Sequence, residues 1–191
     1  MKRILLSVII IILISCNSNY KNPHVKIYTS MGDIEVELYP EKAPKTVTAF
    51  LQYVDSGFYK NSSFYRVLLE EGMDPSTTTG LIQGGVYRTN MPAHPVAGIV
   101  HESTKQTGLT HSSGTISLAR TTVGSATTEF FICIGDEGQF DEGGGTPEDG
   151  KGYAAFGKVV DGMKTARKIQ SQPSNGEAFN PKIEIYKIVR L

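Results

Sequence analysis

Two runs near the start of the chain, Val25-Lys26-Ile27-Tyr28-Thr29 and Ile34-Glu35-Val36-Glu37-Leu38, alternate apolar with polar residues, and Ser30-Met31-Gly32-Asp33 between them has turn chemistry. Side chains alternate faces along a strand, so the pattern predicts a β-hairpin with one buried face. Further short β-prone runs fall at 63–67, 81–83, 115–119, 130–134 and 154–158, and a last alternating run covers 182–191. Helical periodicity is confined to two places. Val47, Phe50, Leu51 and Val54 recur at i, i+3, i+4 and i+7, behind Pro44 and ahead of Gly57, which predicts a one-sided helix with a start and a stop. A second helix is expected over 162–169, with Met163, Ala166 and Ile169 inward. Many strands with two helices far apart in sequence argue against a parallel sheet of alternating strands and helices. They predict a closed or nearly closed antiparallel barrel, whose closure removes exposed sheet edges. Two loops, 69–80 and the glycine-rich 141–152, are longer than a turn requires and are candidates for function.

A length of 191 residues supports one domain with a sizeable core better than two small ones. Lysine plus arginine equals aspartate plus glutamate at 19 each, so no overall field gathers nucleic acid, and a nucleic-acid partner is not expected. Twenty glycines and nine prolines without a fixed period suit short strands and turns rather than a repeat architecture.

The N-terminus is a separate element. Lys2 and Arg3 precede an apolar run over 4–14, interrupted only by Ser7, and Ser15 stands before Cys16. Charged, apolar and small residues in that order form a secretory signal, and the run is well short of the ~20 residues that cross a bilayer. Leu13-Ile14-Ser15-Cys16 resembles the lipobox of bacterial lipoproteins, which implies that the Cys16 thiol is diacylated, with palmitate among its lipids, before cleavage leaves it as the first mature residue. The expected organisation is a signal peptide over 1–15, a lipidated cysteine and tether over 16–23, and one domain over 24–191. The chain would sit in the bacterial cell envelope, held to a membrane by lipid and facing the periplasm or exterior. With Cys16 lipidated, Cys133 is left without an intrachain disulfide partner, and its apolar surroundings mark it as a buried structural thiol.

No histidine pair at zinc spacing, phosphate-cradling loop or glycine-flanked serine nucleophile is present, so neither a metal nor a cofactor is expected. His111, in Thr110-His111-Ser112-Ser113, reads as a loop residue rather than a base. Composition and periodicity stop at a β-rich domain.

Seven segments carry more. Thr29-Ser30-Met31-Gly32-Asp33-Ile34, Ala43-Pro44-Lys45-Thr46-Val47, Phe64-Tyr65-Arg66-Val67, Ile82-Gln83-Gly84-Gly85, Gly114-Thr115-Ile116-Ser117-Leu118-Ala119-Arg120, Glu129-Phe130-Phe131-Ile132 and Phe156-Gly157-Lys158-Val159-Val160-Asp161-Gly162-Met163 resemble successive cyclophilin motifs in that family's order. The resemblance implies a closed eight-stranded antiparallel β-barrel capped by two α-helices. It also implies peptidyl-prolyl cis-trans isomerase activity on proline-containing polypeptides, without a cofactor. Arg66 falls at the family's catalytic arginine and Gln83 at its site glutamine. Phe131, Leu81 and Phe140 fall at pocket positions, and Ala119 and Arg120 on the strand along which peptide lies. Glu129 and Tyr153 complete the substrate-binding set implied. The chain departs from many relatives at Gly80, where they have a pocket phenylalanine, at Tyr65 and Tyr153 for histidine, at Arg120 for asparagine and at Glu129 for glutamine, and it contains no tryptophan. The 69–80 insertion is a candidate replacement wall, through Met73. A competing expectation is a proline-peptide binding module or chaperone with weak or no catalysis, because Gly80 opens the pocket. A monomer is expected from a tethered, self-contained barrel.

Replacing Cys16 by alanine is expected to move the chain from the membrane fraction to the soluble one. Fractionation with mass spectrometry of the mature N-terminus checks this, and an unmodified Cys16 in membrane-bound protein would overturn the lipid assignment.

Overall fold

The computed structural model describes residues 20–70, 77–87 and 97–191. Cys16, the signal peptide and Met73 lie outside the described residues. The first strands, β1 (His24–Thr29) and β2 (Gly32–Leu38), form the expected hairpin, with Val25 opposite Val36 and Ile27 opposite Ile34. Chain order then runs α1 (Pro44–Asp55), β3 (Ser62–Glu70), β4 (Thr79–Gly85), α2 (Thr104–Thr107), β5 (Thr115–Leu118) and β6 (Phe130–Ile134). After a single 3₁₀ turn (Gly138–Phe140) come β7 (Ala154–Asp161), α3 (Met163–Gln170), β8 (Ser174–Asn175) and β9 (Ala178–Arg190).

Eight strands close a barrel in the order β1-β2-β7-β5-β6-β4-β3-β9, with β9 returning to β1 and all pairs antiparallel. The two-residue β8 is a hairpin appendage on β9. Both expected helices are present, and α2 is a third that sequence periodicity missed because four residues are too few to show a repeat. The 69–80 loop is partly strand: Leu69 pairs with Gly80 and Glu70 with Thr79, extending the β3–β4 hairpin. The tether region is in contact with the barrel at its end. Pro23 O accepts the Leu38 N–H at 2.9 Å, and Tyr20 stacks on His24 with centroids 3.8 Å apart.

The barrel interior is the main core. Phe50 of α1 caps it among Tyr59, Phe130 and Phe156, with ring centroids 5.0–5.9 Å apart and tilted or edge-on contacts, as the quadrupoles of packed aromatic rings prefer. Tyr59 is fully buried and its hydroxyl donates to Thr128 O at 2.9 Å, so no polar group is stranded there. The N-terminus of α1 has no local side-chain cap. Glu102, far along the chain, takes that role: its carboxylate accepts the N–H groups of Lys45 and Thr46 and the Thr46 hydroxyl, at 2.7–3.2 Å. A carboxylate at that end both satisfies unpaired donors and complements the helix dipole.

The apolar run of β6 is explained by burial on both faces. Phe130, Ile132 and Ile134 point into the barrel, whereas Phe131 and Cys133 belong to a second cluster outside it, with Leu81 and Phe140. The Cys133 thiol is pushed up by this burial and is structural. Phe130→Ala, which empties the meeting point of Phe50, Tyr59 and Phe64, should cost about 3–5 kcal/mol in chemical denaturation.

Candidate active site

The site lies on the outer face of the barrel, over that second cluster. Strand register places Arg66 beside Gln83, Gln83 beside Phe131 and Phe131 beside Ser117, a single row across β3, β4, β6 and β5. Because inward and outward side chains alternate, the core assignments of Ile82 and Phe130 force Gln83 and Phe131 outward.

Strand β3 would break this rule without a bulge. Phe64 and Val67 are core residues, yet both Tyr65 and Arg66 line the cavity. Pairing to β4 and to β9 shifts register at the same step, between Phe64 and Arg66. Tyr65 is the extra residue, and a bulge turns two consecutive side chains to one side.

The cavity holds about 490 Å³ and is lined by Arg66, Leu81, Gln83, Ala119, Arg120, Glu129, Phe131 and Tyr153, with Tyr65, Tyr87, Thr121, Ser125 and Thr127. Eight of the nine expected substrate-site residues are therefore brought together. Phe140 is placed differently: it is buried behind the floor, edge-on to Phe131 and Tyr153 at 5.6 Å. Gly80 is not part of the lining. A Cβ there, at φ +123°, would collide with the Leu68 carbonyl, so this backbone excludes any side chain. Leu68 instead packs against the second cluster.

Arg66 is held from two directions. Its Nη1 donates to Gln83 Oε1 at 2.8 Å and its Nε to Glu177 Oε2 at 2.7 Å. Gln83 in turn donates from Nε2 to the Tyr65 hydroxyl at 2.7 Å, which orients the amide so that its oxygen faces the guanidinium. Burial raises the Tyr65 phenol, reinforced by the charge of Glu129, so it stays a neutral hydroxyl.

Arg120 makes four hydrogen bonds to protein. Both oxygens of Asp149 accept from it at 2.6 and 2.8 Å, and Gly152 O accepts at 2.6 and 2.9 Å. This pair holds the Asp149 carboxyl down at about 2. The guanidinium lies 5.5 Å from the Tyr153 ring centre, so Arg120 braces the 141–152 loop and the Tyr153 wall.

Glu129 rests against Gly85, where a Cβ would collide with the carboxylate. Its Oε1 accepts the N–H groups of Val86 and Tyr87 and the Thr128 hydroxyl, each at 3.0 Å, while Oε2 is buried without a hydrogen-bond partner. Burial pushes this carboxyl up, opposed by the neighbouring Tyr65 and Thr128 hydroxyls and the two amides.

His111, expected as a loop residue, is buried under the floor, stacked on Phe131 with centroids 5.8 Å apart. Asp141 Oδ1 faces its Nδ1 at 2.7 Å and Ser117 Oγ its Nε2 at 3.0 Å. With the Asp141 oxygen as acceptor the proton is assigned to Nδ1, leaving Nε2 to accept from the Ser117 hydroxyl. Among the described residues, no group of three or more His, Cys, Asp or Glu side chains is placed to hold a metal ion.

Sequence reasoning missed Glu177 and, among the lining residues, Tyr87, Thr121, Ser125 and Thr127. Tyr87 and Thr127 sit just outside the matched motifs, and Glu177 lies 111 residues from the arginine it contacts.

Burial lowers the His111 pKa below its ordinary 6.5, against the pull of Asp141. The unfolded chain therefore binds the extra proton first, so the stabilisation is complete above about pH 6.5 and is lost as pH falls below it. Thermal melts from about pH 7.5 to 5 should show wild type losing stability more steeply than His111→Gln.

A match to the family model described as cyclophilin type peptidyl-prolyl cis-trans isomerase/CLD covers residues 24–190. The chain is 38% identical to peptidyl-prolyl cis-trans isomerase A of Dickeya dadantii over 180 residues, 91% of this chain and 87% of that protein. It is 36% identical to isomerase B of Escherichia coli over 147 residues, 76% of this chain and 83% of that one. A solved Cryptosporidium parvum cyclophilin, crystallised in the presence of the dipeptide Ala-Pro, superposes with a TM-score of 0.66 at 25% identity, covering 87% of this chain and 97% of that one. A barrel with this row of side chains on its outer face, matched along nearly its whole length, places the chain in the cyclophilin-type peptidyl-prolyl cis-trans isomerase family.

Proposed function

We propose that this family member accelerates rotation about X-Pro bonds in exported polypeptides, with Arg66 as the catalytic residue. The observation that carries the reading is Arg66 pinned at the edge of an apolar-floored cavity, one strand position from Gln83 and two from Phe131.

Amide resonance sets a barrier of ~18–20 kcal/mol, and rotation breaks no σ bond, so neither nucleophile nor metal is required. The task is to favour the twisted amide over the planar one. In the twisted state the proline nitrogen regains a lone pair, and a fixed, permanently charged guanidinium donates to it without reorganising. Phe131 and Leu81 supply the apolar socket for the proline ring, with Tyr153 as a wall. Gln83 spends its oxygen on Arg66 and one N–H on Tyr65. Its second N–H is available to a substrate carbonyl. Ala119, next to the end of β5, lines the cavity where peptide backbone would run, and Arg120 and Phe140 support the walls. The dipeptide Ala-Pro, present with the Cryptosporidium parvum relative, has the X-Pro unit this cavity would accept. Contacts to backbone and ring tolerate many flanking sequences.

The exported setting rests on the pattern over 1–16, and a lipid on Cys16 would hold the domain at an envelope membrane as a monomer. Arg66→Ala should lower kcat/KM on a proline peptide roughly a hundredfold to a thousandfold with an unchanged circular dichroism spectrum. Wild-type turnover indistinguishable from background would defeat the enzyme reading and leave a peptide-binding module.

A further inference from the structure

Glu177 stands beside Arg66 because of a hairpin that the barrel does not need for closure. Strand β8 pairs with the start of β9, Ser174 opposite Phe179 and Asn175 opposite Ala178, and Glu177 lies in the connecting turn. Phe179, two residues on, is buried in the main core. The turn is fastened to the catalytic strand by backbone. Val67 N donates to Glu177 O at 2.8 Å, and Ala178 is the register partner of Arg66 where the bulge ends. Any residue at 177 keeps these bonds, so the side chain is free to vary without loosening the turn.

Resting on the assignment of Arg66 as the catalytic group, we propose that Glu177 is a positioning residue that fixes the plane of the guanidinium. Gln83 holds Nη1 at 2.8 Å and Glu177 holds Nε at 2.7 Å. Two acceptors on different nitrogens of one rigid planar fork set both its position and its rotation. Neither bond uses Nη2, which is left to serve the substrate. Both side chains are substantially exposed, 37% for Arg66 and 55% for Glu177. An ion pair in that setting adds little to folding stability. Its consequence is geometric: a long side chain on the barrel surface is kept in one orientation before substrate arrives.

The test measures prolyl isomerisation of an Ala-Pro peptide by the wild-type chain, Glu177→Ala, Glu177→Gln and Arg66→Ala. Glu177→Ala should lose about tenfold in kcat with little change in KM or melting temperature, a fraction of the cost of an ångström of misplacement at a reacting centre. Glu177→Gln keeps an acceptor for Nε and should recover most of that loss. The Arg66 Nε–H resonance should be protected from exchange in wild type and Glu177→Gln and lose protection in Glu177→Ala. Raised salt should slow wild type more than Glu177→Ala, since it screens an exposed pair. If Glu177→Ala keeps full kcat and a protected Nε–H while Arg66→Ala is inactive, the positioning role is wrong and the catalytic assignment stands. If Arg66→Ala itself is fully active, the catalytic assignment falls and the positioning role with it.

Discussion

The structure depends on the last strand. β9 pairs with β1 over residues 185–190 and with β3 over residues 178–185, and Ile185 is partner to both Thr29 and Ser62. One strand thus joins the first strand of the chain to the strand carrying Arg66. Ile183, Ile185 and Ile188 face the core from it. Among the described residues, closure leaves no long exposed edge, and the residues of β9 beyond the barrel wall form the hairpin that brings Glu177 beside Arg66.

A rigid barrel provides a wall on which one row of side chains from four strands is held in register, and the bulge at Tyr65 adapts that wall to chemistry. Without the extra residue, Tyr65 and Arg66 would point to opposite faces. With it, the arginine faces Gln83 and the tyrosine hydroxyl fixes the amide that holds the arginine. Bulges recur beside active sites because they redirect a side chain without altering the rest of a sheet.

The charges around the cavity are arranged in local pairs: Arg66 with Glu177, Arg120 with Asp149, and the Glu129 carboxylate with backbone amides. That local balance leaves the floor of Phe131 and Leu81 apolar and uncharged. His111 belongs to the same logic. Burial lowers its pKa against the pull of Asp141, and it packs as an aromatic plate under Phe131 while hydrogen-bonded to Asp141 and Ser117.

Much of this was legible in the sequence, for local reasons. Alternation in 25–29 and 34–38 announced the first hairpin, and the i, i+3, i+4, i+7 apolar face announced α1. The resemblance to cyclophilin motifs pointed to Arg66, Gln83 and Phe131, and strand register sets the three side by side across β3, β4 and β6. What the sequence could not reveal depends on distant groups meeting. Glu102 caps a helix whose own N-cap residue, Ala43, has no side-chain acceptor. Gly80 reads as a missing wall but is a backbone contact with Leu68, and Phe140 backs the floor rather than lining the cavity. His111 has no local signature because its partners are Asp141 and Ser117, and Glu177 has none because strand pairing carries it to Arg66. Local pattern determined which residues form strands and which form the long helices, and the resemblance to cyclophilin motifs pointed to Arg66. Tertiary structure alone decided how that arginine is aimed, since its orientation is set by hydrogen-bond acceptors supplied from other strands.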